Sequence, residues 1–283
     1  MKLSIMTLPL LPAPDIPGLP QKKNAGPQPT LKEIYRQLKE AGAEALDISS
    51  IDFQFGGEAA VQEALLETGL ACSCYLAFIA APQVTPAGQQ NAVQQGIAAV
   101  EQTLRLGAKV MMFVPAGNQE AVSQLSRQAV ADAFAEVLRP VVSYAEKKGV
   151  TVVIEDAPHR DFPMCSQAEL RYLLDAVPGL MLVYDSGNML YAGEDPVEFY
   201  EGLKGRIAHA HLKEIGKSSE GALVDCDYGK GIVDFAALLP RMEKLDIFGA
   251  VELPPDFTTE RTIQERVETA IHFIHQKMGG NEA

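Results

Sequence analysis

The sequence predicts a single-domain (β/α)8 barrel over residues 1–283, and three observations carry that prediction. Short β-branched apolar runs alternate with longer segments of 3.6-residue periodicity. Eight such strand–helix units follow one another with no domain inserted between them. The length of 283 residues suits the roughly 250 that one such barrel occupies. Successive strand–helix units imply parallel strands joined by right-handed crossovers. An open doubly wound sheet is the alternative, but it usually has fewer units, and no G-x-G-x-x-G follows the first strand.

In chain order the strands are expected at Lys2–Leu8, Ala43–Ser49, Leu70–Phe78, Lys109–Pro115, Val150–Asp156, Leu180–Asp185, Arg206–Lys213 and Phe248–Leu253. The first helix opens on Thr30-Leu31-Lys32-Glu33, in which the Thr and Glu side chains can cap each other's backbone N–H groups. The clearest helical segment is Gln119–Lys148, with Leu125, Val130, Phe134, Leu138, Val141 and Tyr144 along one stripe. Gly42, Gly69, Gly107 and Gly149 stand where helices end and a left-handed residue is wanted. Two connections are long: about 9–29, stiffened by Pro12, Pro14, Pro17, Pro20 and Pro27, and about 215–231. Both would lie on the face where strand C-termini emerge, the face on which barrel enzymes build their sites.

Composition narrows the function. Lys plus Arg number 24 and Asp plus Glu 37, a net charge of −13. That is the wrong balance for a protein that grips a phosphate backbone or an anionic membrane. Cys72, Cys74, Cys165 and Cys226 are too few for a disulfide scaffold in a chain of this length, and Cys72 and Cys74 read as core thiols. With no secretory leader pattern and no run of about 18 apolar residues, a reduced cytoplasmic protein is the expectation.

The chemistry is expected at strand ends. Glu155, Asp185, His211 and Glu252 stand at or near the ends of strands five to eight, so they would converge on one side of the barrel mouth. A carboxylate ending an apolar strand is costly unless paired or bound to a cation. Three carboxylates and an imidazole suit one divalent metal: Mn2+ first, with Mg2+, Co2+ or Zn2+ as alternatives. The bland reading is that each acid merely caps the next helix.

These strand ends sit in short motifs: Val153-Ile154-Glu155-Asp156, Tyr184-Asp185-Ser186-Gly187-Asn188, Ala210-His211-Leu212-Lys213-Glu214, Gly229-Lys230-Gly231-Ile232-Val233-Asp234-Phe235 and Val251-Glu252-Leu253. In this order and spacing the chain resembles the xylose isomerase-like sugar phosphate isomerases and epimerases, which are TIM barrels. The resemblance spans the barrel and is strongest from Val150 to Leu253. It implies one divalent metal held by Glu155, Asp185, His211 and Glu252, with Glu155 and Glu252 also serving as proton acceptor and donor. That role is chemically coherent: a metal chelating a ketone and its neighbouring hydroxyl acidifies the carbon between them and stabilises an enediolate. Two carboxylates in different environments can divide the acid and base roles. The implied activity is a ketose 3-epimerase or aldose-ketose isomerase on a small sugar or polyol-derived ketone, in a chain that could form homo-oligomers.

Three departures from that pattern stand out. Asn188 takes the place of a frequent His, Asp156-Ala157-Pro158-His159 replaces a frequent Asn-His, and Lys213-Glu214 replaces Lys-Asp. Asn188, Lys213 and His159 are therefore expected to bind substrate. His209 shares the inward face with His211 and Lys213 and reads as a core histidine, whereas His272 and His275 face solvent on the last helix. The Lys217-Ser218-Ser219 and Gly229-Lys230-Gly231 stretches could bind an anion, yet Glu220, Asp225 and Asp227 beside them favour an unphosphorylated substrate. Asp52/Phe53 and Tyr75/Phe78 could form a sugar-stacking wall or simply pack.

The principal rival is an inosose or dehydroshikimate type dehydratase, a lyase using the same metal-stabilised enolate. A DNA-repair nuclease is disfavoured by the charge and by the absence of histidines ending strands three and four. A barrel that binds without catalysis is the remaining alternative.

Overall fold

The computed structural model describes residues 1–11, 29–117, 124–255 and 261–279. Its strands are β1 (Lys2–Met6), β2 (Ala45–Ser49), β3 (Ala71–Ile79), β4 (Val110–Pro115), β5 (Thr151–Ile154), β6 (Met181–Asp185), β7 (Ile207–Lys213), β8 (Ile215–Lys217), β9 (Leu223–Asp225) and β10 (Phe248–Glu252). Eight of them form a closed barrel in the order β1-β10-β7-β6-β5-β4-β3-β2, and β8 and β9 form a separate two-stranded sheet. The predicted strands are therefore all present, each within about two residues of its expected limits. The 215–231 connection differs from expectation: Ile215–Lys217 and Leu223–Asp225 pair antiparallel, turning through Gly221 at φ 85°.

The chain divides into two compact units, Ser73–His211 and Met1–Cys72 with Leu212–Ala283. In the first, β3 to β7 run parallel, with Tyr75 beside Met111, Met111 beside Val152, Val153 beside Met181 and Asp185 beside His211, and the β6–β7 register shifts between Leu182 and Val183. The helix after β3, α3 (Pro86–Arg105), and the helix after β4, α4 (Arg127–Lys148), pack on each other. Gly96 permits the close approach, because a Cβ there would meet Val141 Cγ2 at 2.5 Å. Helix α4 starts at its Ser126 cap, later than the predicted Gln119. Its Val130, Phe134, Leu138 and Val141 are buried as the stripe required, whereas Leu125, ahead of the cap, is exposed. Residues 118–123 of that predicted helix lie outside the described residues.

In the second unit β1 is flanked by β2 and β10. Helix α1 (Leu31–Glu40) begins with the predicted reciprocal cap between Thr30 and Glu33, and it buries Leu31, Ile34, Tyr35 and Leu38. It also packs against the last helix, Ile263–Met278, which carries the same kind of cap between Thr262 and Glu265. Gly42, Gly69, Gly107 and Gly149 all have positive φ, between 65° and 95°. Most of the proline-rich 9–29 connection lies outside the described residues. Among the described residues no helix is long and apolar enough to cross a membrane.

Candidate metal centre

Three of the predicted ligands come together within the Ser73–His211 unit. Glu155 follows the last residue of β5, Asp185 ends β6, and His211 lies opposite Asp185 in the β6–β7 register. Asp185 and His211 are fully buried. The His211 Nδ1 meets Glu155 Oε1 in a short contact, and Asp185 Oδ1 accepts the backbone N–H groups of Gly187 and Asn188, each at 2.7 Å. These two amides orient the Asp185 carboxylate.

The donor atoms of Glu155, Asp185 and His211 lie within 4.8 Å of one another. Metal–ligand bonds of about 2.0–2.2 Å put ligand atoms at most about 4.4 Å apart across an ion. The 4.8 Å bound is slightly wider than that, and the mixture of carboxylate oxygen with imidazole nitrogen is a donor set that divalent cations take. Two carboxylates held this close repel each other, and a cation between them would remove that cost.

Glu252 is the last residue of β10. Within its own unit it forms an ion pair with Lys213, Nζ to Oε1 2.7 Å, with both side chains largely buried. Its carbonyl accepts the Tyr228 hydroxyl at 3.4 Å, and the same hydroxyl donates to Leu212. Tyr228 thus ties the end of β7 to the end of β10. His209 is buried, its ring edge-on to His211 at 5.6 Å, while His272 and His275 are exposed.

Asn188 is fully buried, and its side-chain N–H donates to the Asp156 carbonyl at 3.1 Å. It links the residue after Glu155 to the residues that orient Asp185. His159 stands farther out, about half exposed, tilted against Phe162 at 5.3 Å and accepting the Asp161 N–H.

Two loop anchors were not legible as such in the sequence. The first is Glu214, the acid that stands where the resembled family usually has Asp. It is buried, and its carboxylate accepts the backbone N–H groups of Gly229 and Val233, each at 3.2 Å. Burial pushes this carboxyl up, against the lowering effect of backbone donors that also include Ile215 and Gly231. A Cβ on Gly231 would lie 2.1 Å from Glu214 Oε1, so glycine lets the loop wrap the carboxylate. The Gly229 and Gly231 amides are thereby turned to an internal anion, the Lys230 N–H donates to the Asp227 carbonyl at 3.1 Å, and the Lys230 side chain pairs with the Asp227 carboxylate at 3.0 Å.

The second anchor is Arg127, at the start of α4. Its guanidinium donates to the carbonyls of Arg160 at 3.0 Å and Phe162 at 2.7 Å, to Cys165 Sγ at 3.2 Å, and to both carboxylate oxygens of Glu169. It pins the loop that follows Glu155. Met164 in that loop has φ 66°, a left-handed conformation that a non-glycine residue adopts only when its surroundings impose it. Asp52 proved to be a third tie, facing inward instead of forming a wall: it accepts the hydroxyls of Thr7, Tyr35 and Ser49 and the Ser49 N–H at 2.8–2.9 Å.

The profile of the family described as "Xylose isomerase-like TIM barrel" matches residues 35–271. The chain belongs to that family. Over 86 residues, 30% of this chain and 28% of the other, it is 32% identical to an inosose dehydratase of Clostridium perfringens. The chain thus matches well under a third of that relative's length. Among solved structures it superposes on the IOLI protein with a zinc atom at TM-score 0.77, 17% identity and 99% coverage of both chains. It also superposes on a 3-keto-D-glucoside 4-epimerase of E. coli at TM-score 0.69 and 16% identity, covering 96% of this chain and 98% of that one. At these identities the structural likenesses establish the fold.

Proposed function

We propose that this protein is a divalent-metal-dependent isomerase or epimerase that moves a proton on the carbon beside a ketone of a small sugar-derived substrate. The observation that carries the reading is the convergence of Glu155, Asp185 and His211, whose donor atoms lie within 4.8 Å of one another. Glu252 is the fourth donor in this reading, as the family resemblance implies. A bound Mn2+, with Mg2+, Co2+ or Zn2+ as alternatives, would polarise the ketone and make its neighbouring C–H acidic.

The chain's own residues then divide the work. Glu155 takes the proton from one face and Glu252 returns one from the other. Lys213, already against Glu252, supplies positive charge to that carboxylate and to a developing oxyanion. Asn188 and His159 complete the substrate contacts: Asn188 through its side-chain amide, held by its bond to the Asp156 carbonyl, and His159 at the outer end of the loop. The commitment of the Gly229 and Gly231 N–H groups to Glu214, and of the Lys230 N–H to the Asp227 carbonyl, supports an unphosphorylated substrate.

The test is exchange of solvent deuterium into ketoses, inososes and dehydroshikimate by the metal-loaded protein. Glu155→Gln and Glu252→Gln should each lower exchange by about 100-fold or more, the size expected for a general acid or base. Undiminished exchange in either variant would overturn the two-glutamate mechanism. The similarity to an inosose dehydratase favours a second reading, β-elimination of water from the same enolate. A new ultraviolet-absorbing enone, with loss of water, would select it.

A further inference from the structure

A cavity of about 250 Å³ opens beside Glu155, within the Ser73–His211 unit. Its walls are the ends of β4 and β5, the start of α4 and the loop after Glu155, including Met112, Val114, Phe134, Ile154 and Phe162. Among the described residues that line it, Glu155 and Asp156 alone have side chains that can form a conventional hydrogen bond; the rest are aliphatic, aromatic, proline, methionine or glycine. It is larger than the roughly 150 Å³ apolar cavity that suffices to take up benzene.

A sugar chain carries a hydroxyl on nearly every carbon, and each one loses a water on entering such a space. Away from Glu155 and Asp156 the described side chains of this wall return no hydrogen bond for it, and an unpaired buried hydroxyl is costly. Nor is the wall a soft loop that could turn a polar group inward. Arg127 holds the carbonyls of Arg160 and Phe162, Ala157 N–H donates to Met164 at 2.9 Å, and those backbone acceptors therefore face away from the cavity's needs. A preformed apolar cavity bordered by one reactive carboxylate is the arrangement of a small-molecule site.

We propose that this cavity receives a hydrocarbon portion of the substrate, a ring edge or alkyl group bearing few or no hydroxyls, joined to the α-hydroxyketone that Glu155 addresses. The inference rests on the proposed proton transfer and narrows it. The substrate class is an α-hydroxyketone with one oxygenated edge and one bare edge, and free polyhydroxylated ketoses are poor substrates.

The probe is 2-hydroxycyclohexanone, compared with D-fructose, on the Mn2+-loaded full chain. Calorimetry reads binding and deuterium exchange reads proton transfer. We expect the cyclic probe to bind at least about tenfold more tightly than fructose, the discrimination typical of one or two methylene groups in a hydrophobic site, with a negative heat-capacity change from apolar burial. Filling the cavity with Val114→Phe, or independently from the loop side with Ala157→Leu, should erase that preference in a protein whose thermal melt shows it folded. Equal binding of the two ketones, or a preference that survives both fillings, overturns the proposal. Preferential binding abolished by the fillings, but with no exchange in any ketone, upholds the cavity assignment and instead overturns the proton-transfer reading.

Discussion

The loop after β5 and the loop after β7 are held in opposite ways. Residues 156–165 gather their backbone carbonyls around a cation, Arg127, whereas residues 215–233 gather their N–H groups around an anion, Glu214. Each irregular segment would otherwise leave polar backbone in need of partners, and one charged side chain meets that need in each. The difference lies in what each loop then has left to offer. After β7 the spare donors are spent inward, which removes the glycine-rich stretch as an anion cradle. After β5 the acceptors are spent outward on Arg127, and the face turned to the cavity is left apolar.

The largest effect that could break this comparison is at Glu214. Replacing it with Ala strands several buried N–H groups and should cost about 3 kcal/mol, since each buried unsatisfied donor costs roughly 1–3 kcal/mol and water can recover part of the loss. Chemical denaturation measures it, and a loss below about 1 kcal/mol would mean that the loop does not depend on its internal anion. Arg127→Met should cost less, about 1 kcal/mol, because 44% of the arginine side chain is exposed and its ion pair with Glu169 is screened. Its sharper readout is local: amide exchange at Ala157 and Phe162 should accelerate about fivefold while the β7 loop is unchanged.

The smallest effect is in the pH dependence, where the two anchors should move oppositely. Burial raises the Glu214 carboxyl above its ordinary 4.5. The folded state then holds that proton more readily than the unfolded chain, so the Glu214 contribution grows as pH falls towards 4.5. Burial also pushes Glu169 upward, but hydrogen bonds from Arg127 and Ser166 outweigh it and leave the carboxyl below 4.5. Its contribution is complete above 4.5 and is lost as pH falls through the lowered value. Stability curves of Glu214→Gln and Glu169→Gln against the parent chain should therefore diverge on acidification. In the first the deficit widens between neutrality and 4.5; in the second it shrinks below 4.5. Parallel curves would remove the distinction between the anchors.

Much of the frame was legible because its signals are local. Alternating or continuous apolar runs marked each barrel strand, Thr30 with Glu33 marked a helix start, and Gly149 marked a helix end. Glu155, Asp185 and His211 were legible because each closes or nearly closes an apolar strand. The β8–β9 hairpin was not, since three-residue strands carry too little periodicity to register. Arg127 carried no signal at all: its partners lie 33 to 42 positions along the chain.

By itself the sequence determined where the eight barrel strands lie to within about two residues, and which ionisable residues stand at the strand mouths, because capping, chain stiffness and side-chain alternation act over a few neighbouring residues. Tertiary structure alone decided that Glu214 would consume the glycine loop's donors, that Asn188 would bridge to Asp156, and that residues from β4, β5, α4 and a pinned loop would close around an apolar space beside Glu155. Those outcomes depend on groups brought together from distant positions, and hydrogen-bond partnership and desolvation are decided only when the chain has folded.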